Sequence, residues 1–228
     1  MNEKELASYF DHTLLKPEST FEDFDRFIEE AIAIHPASVA VNPVITPYLK
    51  SKLDEHNIPI CVAVGFPLGA STIEAKIFEA QDAIKLGAEE VDYVLNITEA
   101  KAHHWDYIDE ELRRITEAVH EEGKIVKVIL EICFLTDEEI VEVCKLAVKN
   151  HTDFVKTSTG FVKGENTGAR VEIIKLMKET VGDQAKIKAS GGIRDYATCL
   201  QMIEAGADRI GTSSSLKILE EFRAQENK

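Results

Sequence analysis

Four stretches of the chain read as strands buried on both faces, and each carries a charge that such a strand should not hold. Asp92 interrupts Val91-Asp92-Tyr93-Val94, Lys127 interrupts Val126-Lys127-Val128, Lys156 follows Phe154-Val155, and Lys188 sits between Ile187 and Ala189. Where parallel strands are covered by helices, a charge is best tolerated pointing inward near the open end of the strands. Three lysines and one aspartate would then converge. Crowding and burial both disfavour an ammonium, so at least one amine should titrate well below its ordinary value of about 10.4. A fall to near 7 needs about 4 to 5 kcal/mol of differential destabilisation. A neutral amine is a nucleophile, and the chemistry such a set supports is a Schiff base with a carbonyl compound. Carbon–carbon bond cleavage or formation would follow, with Asp92 holding a water or shuttling a proton. The same four residues also fit a buried ion-pair network that only holds the fold together.

A second constellation points to an anion. Gly191-Gly192-Ile193-Arg194-Asp195 follows the seventh strand and opens a helix with Asp195 as its N-cap, and Gly211-Thr212-Ser213-Ser214 follows the eighth. Glycines let backbone N–H groups approach a phosphate, serine hydroxyls donate to it, and a helix N-terminus adds positive potential. Gly-Gly alone also reads as an ordinary tight turn; the pair of loops favours phosphate. A local site is needed, because 41 acidic residues against 26 basic ones give a net charge of −15 over 228 residues. That field disfavours nucleic acid and anionic membrane surfaces as partners. The chain opens with no basic stretch before an apolar one, and no apolar run approaches the roughly 18 residues of a membrane span, so a cytoplasmic protein is expected. Cys61, Cys133, Cys144 and Cys199 lack CxxC or Cys/His ligand spacing and read as buried reduced thiols, not a disulfide framework or a zinc site. His103-His104 reads as surface, and Glu110-Glu111 and Glu121-Glu122 as solvated helix faces.

The elements that must position these residues alternate regularly. Eight short β-branched runs are expected as strands: 9–12, 38–41, 60–64, 91–95, 125–130, 154–157, 187–189 and 209–211. Their starts recur at roughly 28 residues, about one βα unit. Between them, Phe21, Phe24, Ile28, Ala31 and Ile32 form one apolar helix face. Ser71-x-x-Glu74 and Thr136-x-x-Glu139 resemble capping boxes, and Gly87, Gly123 and Gly206 stand where helices should end. With no linker composition anywhere, the pattern predicts one α/β domain over 1–228, a (β/α)8 TIM barrel; a seven-stranded open sheet is the alternative. Barrel active sites sit in the loops after the strands. Here those loops hold His12 to Pro17, Asn42-Pro43, Gly65 to Gly69, Asn96, Glu131, Ser158 to Phe161, Ser190 to Gly192 and Thr212 to Ser215.

At these positions the sequence resembles the deoxyribose-phosphate aldolase family of class I aldolases. The resemblance rests on Asp11-His12-Thr13-Leu14-Leu15-Lys16-Pro17, Glu90-Val91-Asp92, Phe154 to Gly160, Lys188 to Arg194 and Arg209 to Ser214, in that order. It implies a barrel that reversibly cleaves 2-deoxy-D-ribose 5-phosphate to D-glyceraldehyde 3-phosphate and acetaldehyde in deoxyribonucleoside catabolism. It implies no metal and no organic cofactor, and assembly as a homodimer or homotetramer. Carried over by motif, Lys156 is the Schiff-base lysine, Lys188 lowers its pKa, and Asp92 shares a proton relay with Lys188. Gly160, Gly191, Gly192, Gly211, Ser213 and Ser214 cradle the phosphate, Asp11, Thr13 and Thr159 lie towards the substrate, and Lys127 is a supporting charge beside it. The chain departs from the common pattern over Val162 to Gly168, where many members read Gly-Gly-Ala-Thr, and at Ser215, where glycine is frequent. Other readings remain: a Schiff-base aldolase or transaldolase for another phosphorylated aldehyde, and a non-catalytic sugar-phosphate-binding barrel. A metal-dependent aldolase lacks a His-rich cluster of ligand type in the loops.

Overall fold

Parallel strands need crossover helices, and the chain supplies one amphipathic segment after nearly every strand. In the computed structural model, which describes residues 1–226, the strands are β1 (Phe10–Leu14), β2 (Ser38–Val41), β3 (Ile60–Val64), β4 (Glu90–Val94), β5 (Ile125–Ile129), β6 (Phe154–Lys156), β7 (Lys186–Ser190) and β8 (Arg209–Thr212). They pair in chain order, and β1 closes on β8 through Phe10 opposite Ile210 and Asp11 opposite Gly211. The closed barrel excludes the open seven-stranded sheet, and every expected strand lies within two residues of its observed ends. The helices are α1 (Glu3–Ala7), α2 (Phe21–Ile34), α3 (Thr46–Leu53), α4 (Ile73–Lys85), α5 (Ile97–Lys101), α6 (Trp105–His120), α7 (Asp137–Lys149), α8 (Val171–Val181), α9 (Tyr196–Glu204) and α10 (Ser215–Glu226). Among the described residues no helix is long and apolar enough to cross a membrane.

The period-two alternation of strand side chains sorts the barrel into two interiors. Val39, Val41, Ile60, Val62, Val64, Val91, Tyr93, Val126, Val128, Val155, Ile187 and Ile210 join the helices in one hydrophobic cluster. The intervening positions point to the barrel axis and hold the charges. Helix starts follow their capping chemistry: Thr136 and Glu139 form the expected capping box on α7, and the Asp195 side chain accepts from Thr198 N–H at the start of α9. Gly87, Gly123 and Gly206 all take positive φ just past helix ends.

Local expectations fail at four places. The cap of α4 is Thr72, whose side chain accepts from Ala75 N–H, so the Ser71 capping box is one residue out of register. Phe21 is exposed and packs edge-on to Tyr48, while Phe27 takes the core position. Cys133 is only partly buried, unlike the other three thiols. Glu111 is not solvated: it is fully buried and paired with an equally buried Lys76, because position 111 shares the inner face of α6 with Ile108, Leu112 and Ile115. His103 and His104 are exposed, each against a carboxylate, Glu139 and Glu99.

Candidate active site

Register brings the strand charges into one contact chain along the barrel axis. Asp92 on β4 receives all three lysines: Lys156 Nζ lies 2.6 Å away, Lys188 Nζ 2.7 Å and Lys127 Nζ 2.9 Å. The chain continues downward. Lys188 also contacts Asp11, Lys127 contacts Glu90 at 2.5 Å, and Arg209 at the start of β8 joins Asp11 to Glu90, the latter at 3.1 Å. The Cys61 thiol donates to Asp92 at 3.0 Å. Except for Arg209, every one of these side chains is almost wholly excluded from solvent.

Their electrostatics diverge. Burial disfavours the Lys156 ammonium, and Lys188 adds to that effect; the single carboxylate of Asp92 pulls the other way, and the net shift is downward. Burial would lower Lys188 too, but Asp11 and Asp92 overcome it and raise its pKa, and Asp92, Cys61, Glu90 and Asp11 do the same for Lys127. Asp92 itself is held well below the usual carboxylate range, since the three lysines outweigh the cost of burying it. The Cys61 thiol is pushed up to about 12, by burial first and then by Asp92.

Above the ladder, at the C-terminal ends of the strands, opens a cavity of about 260 Å³ lined by Thr13, Lys156, Thr159, Gly160, Gly191, Gly192, Gly211 and Ser213, together with Lys16 and Arg194. Of the charged strand residues, Lys156 alone borders it. Thr13, Thr159, Gly160, Gly191, Gly192, Gly211 and Ser213 are therefore brought together around one cavity. Ser214 does not line this cavity, its N–H being turned to the Thr212 hydroxyl at 3.0 Å. Asp11 and Lys127 need correcting: both are fully buried below the cavity, in the ladder, and neither can touch a substrate held above Lys156. The expectation that all the charges gather at the open end fails for the same reason. Parallel register staggers successive strands along the barrel, so the ladder descends to its lower mouth.

The loops over the cavity are tied to one another. Ser190 Oγ donates to the Ser158 carbonyl at 2.5 Å, and Thr157 Oγ1 to the Ser190 carbonyl at 3.0 Å. Gly168 passes so close to the next loop that a Cβ there would lie 2.1 Å from the Gly191 carbonyl oxygen, and Gly191 itself needs φ of +85°. The divergent 162–168 segment is thus fastened at its end and otherwise points to solvent. Ser215, the other departure, is fully buried away from the cavity with its Oγ 3.1 Å from His12 Nδ1.

Five residues had no role in the sequence reading. Glu90 and Arg209 share the inward period of Asp92 and Gly211, a signal available in the strings Glu90-Val91-Asp92 and Arg209-Ile210-Gly211. Glu131, almost fully buried at a left-handed φ of 53°, accepts from Thr159 N–H at 3.2 Å and from the Thr159 hydroxyl, and burial raises its carboxyl. Lys16 and Arg194 bring positive charge to the cavity rim; both lie inside loops already marked, and their type was the available signal.

The chain also matches known proteins along nearly its whole length. The sequence profile of the DeoC/LacD family aldolases matches residues 6–221. A deoxyribose-phosphate aldolase from Clostridium tetani is 50% identical over 222 residues, covering 96% of this chain and 100% of that protein. One from Caldanaerobacter subterraneus is 48% identical, covering 96% and 94%. Among solved structures, the tetrameric deoxyribose phosphate aldolase from Aeropyrum pernix superposes with a TM-score of 0.90 at 31% identity, covering 98% of this chain and 93% of its own.

Proposed function

Because the chain belongs to the DeoC/LacD family of aldolases, we propose that it reversibly cleaves 2-deoxy-D-ribose 5-phosphate to D-glyceraldehyde 3-phosphate and acetaldehyde through a Schiff base on Lys156. The observation that carries the reading is that Lys156 is the one ladder amine open to the cavity and the one whose ammonium is disfavoured there. The unprotonated Nζ adds to the C1 carbonyl of the open-chain sugar, and loss of water gives an iminium. The C2–C3 bond then breaks as the C3 hydroxyl loses its proton. Its electron pair passes into the iminium, releasing glyceraldehyde 3-phosphate and leaving the enamine of acetaldehyde. Protonation at C2 and addition of water return acetaldehyde and the free amine.

Asp92 contacts Lys156 and Lys188 through the same oxygen, so it can relay protons to and from the amine while Lys188 keeps a positive charge beside it. Gly160, Gly191, Gly192, Gly211 and Ser213 offer a phosphate its donors, and Lys16 and Arg194 supply the charge that the acidic surface as a whole does not. The same reading extends to a cytoplasmic homodimer or homotetramer acting on small molecules in deoxyribonucleoside breakdown.

Incubation with acetaldehyde followed by borohydride reduction tests it. A two-carbon mass addition on the Lys156 peptide is expected, with none in Lys156→Ala. An adduct on Lys188 would reverse the two lysines, and no specific adduct would refute the Schiff base.

A further inference from the structure

The ladder contains more than the cavity uses. From the lower mouth upward it holds Arg209, then Asp11 and Glu90, then Lys127 and Lys188, then Asp92, and Lys156 at the top, each in contact with the next. Arg209 lies among Met1, Glu5, Ser8, Tyr9, Phe154, Lys186 and Asp208, on the face opposite the substrate cavity. Three buried lysines, with Arg209 at the partly open lower mouth, thus meet three buried carboxylates where an unbalanced charge is costly.

We propose that Arg209 is a positioning residue: its permanent charge completes a buried set in which three cations balance three carboxylates only when Lys156 carries no proton. This rests on Lys156 being the reacting amine. Contact counts decide which group yields. Lys127 has Glu90 and Asp92 within 2.9 Å and Asp11 at 3.9 Å, and Lys188 touches two carboxylates. Arg209 also touches two, and a guanidinium does not deprotonate. Lys156 has Asp92 alone, shared with Lys188 through one oxygen. The surplus proton therefore leaves the amine that faces the cavity, and an arginine on the far side of the barrel keeps it away. An arginine suits this place where a lysine would not, because a lysine could surrender its own proton instead.

The other groups around Lys156 do not alter the count. Cys61 of β3 remains a thiol and donates to Asp92. Glu131, after β5, has both oxygens engaged by Thr159; it feels the Lys156 charge, but burial pushes its carboxyl up towards the neutral form, in which it adds no charge to the set. Helix α7 backs β6 with Ile140, Val143, Cys144 and Ala147, and its Glu139 is paired with Lys101 and His103. Lys16 and Arg194 on the cavity rim are cations and act in the same direction as Arg209.

The test reads the pH midpoint of acetaldehyde adduct formation at Lys156, trapped with borohydride, in wild type, Arg209→Gln, Glu90→Gln and the double variant. Arg209→Gln leaves three carboxylates facing Lys127 and Lys188, so Lys156 retains its proton. Its midpoint should rise by about one pH unit or more, a tenfold loss of adduct at neutral pH recovered in alkali. Removing Glu90 as well restores the balance, and the midpoint should return towards wild type. An unchanged midpoint in Arg209→Gln, or a loss equal at every pH and not reversed in the double variant, overturns the proposal. If Arg209→Gln does not fold, Glu90→Gln and the double variant still differ only at position 209; the double should have the higher midpoint, and equal midpoints overturn the proposal. Absence of any Lys156 adduct in wild type would instead remove the Schiff-base reading on which it stands.

Discussion

The Lys76–Glu111 pair between α4 and α6 gives the sharpest stability prediction. Both side chains are fully excluded from solvent, and Lys76 Nζ lies 2.6 Å from Glu111 and 2.7 Å from the Val94 carbonyl oxygen. Glu111 also accepts from Asn96 N–H at 2.9 Å, so the pair clasps the upper end of β4. Lys76→Met removes the counterion and leaves a buried carboxyl with one backbone donor. Breaking a buried pair from one side costs about 3 to 5 kcal/mol. For a chain of this size each kcal/mol moves Tm by roughly 2 to 4 °C, so a fall of about 6 to 20 °C is expected. The double variant Lys76→Met/Glu111→Leu should recover most of that loss, since a well-packed apolar pair needs no counterion. The pH dependence has a definite sign. Burial raises the Glu111 carboxyl above its unfolded value even with Lys76 present, so the folded state takes up the proton first. In Lys76→Met the deficit should be smallest in acid and grow as pH rises from the ordinary glutamate range through the folded value. Thermal melts and urea titrations across pH measure both. A loss under about 1 kcal/mol, or a double variant no better than the single, would refute the claim that the pair is a dry, mutually dependent unit.

Three further outcomes concern the site. Lys188→Leu removes the cation that shares Asp92 with Lys156, so the acid limb of the kcat/KM profile should move up by about one pH unit or more; an unmoved limb would count against activation by charge. Asp92→Asn should lower kcat by about 10²- to 10⁴-fold with a much smaller change in KM, and a defect confined to KM would exclude the relay role. Arg194→Met should raise KM for 2-deoxyribose 5-phosphate about tenfold or more while leaving turnover of unphosphorylated 2-deoxyribose unchanged, as steady-state assays on both sugars would show.

How far the string could be read depended on whether a property was local. Strands such as Ile60-Cys61-Val62-Ala63-Val64 and caps such as Thr136 declare themselves within a few residues, and so did the strangeness of a charge at Asp92 or Lys156. Depth along the barrel did not. Asp11 and Lys127 have the same credentials as Lys156 until inter-strand register places them lower, and no periodicity within one strand encodes that offset. Glu111 was hidden differently, because its polar neighbours Asp109 and Glu110 mask an apolar spacing from Ile108 to Leu112 and Ile115 that sets it on the inner face. Phe21 shows the converse, an aromatic at the right spacing but on the first turn of α2, where it is exposed and packs on Tyr48 instead of the core.

The closure of β1 on β8 also bears on how the chain is made. Asp11 and Glu90 leave the ribosome early, whereas the guanidinium that joins them belongs to the last strand of the barrel. Until residue 209 has emerged, Asp11 and Glu90 have Lys188 and Lys127 as partners, and on the proposed balance the interior of a seven-stranded intermediate is neutral only with Lys156 protonated. The unfinished barrel thus keeps its amine in the unreactive, protonated form. Arrival of the eighth strand brings the surplus charge that expels that proton, so closing of the barrel and arming of its amine become a single event.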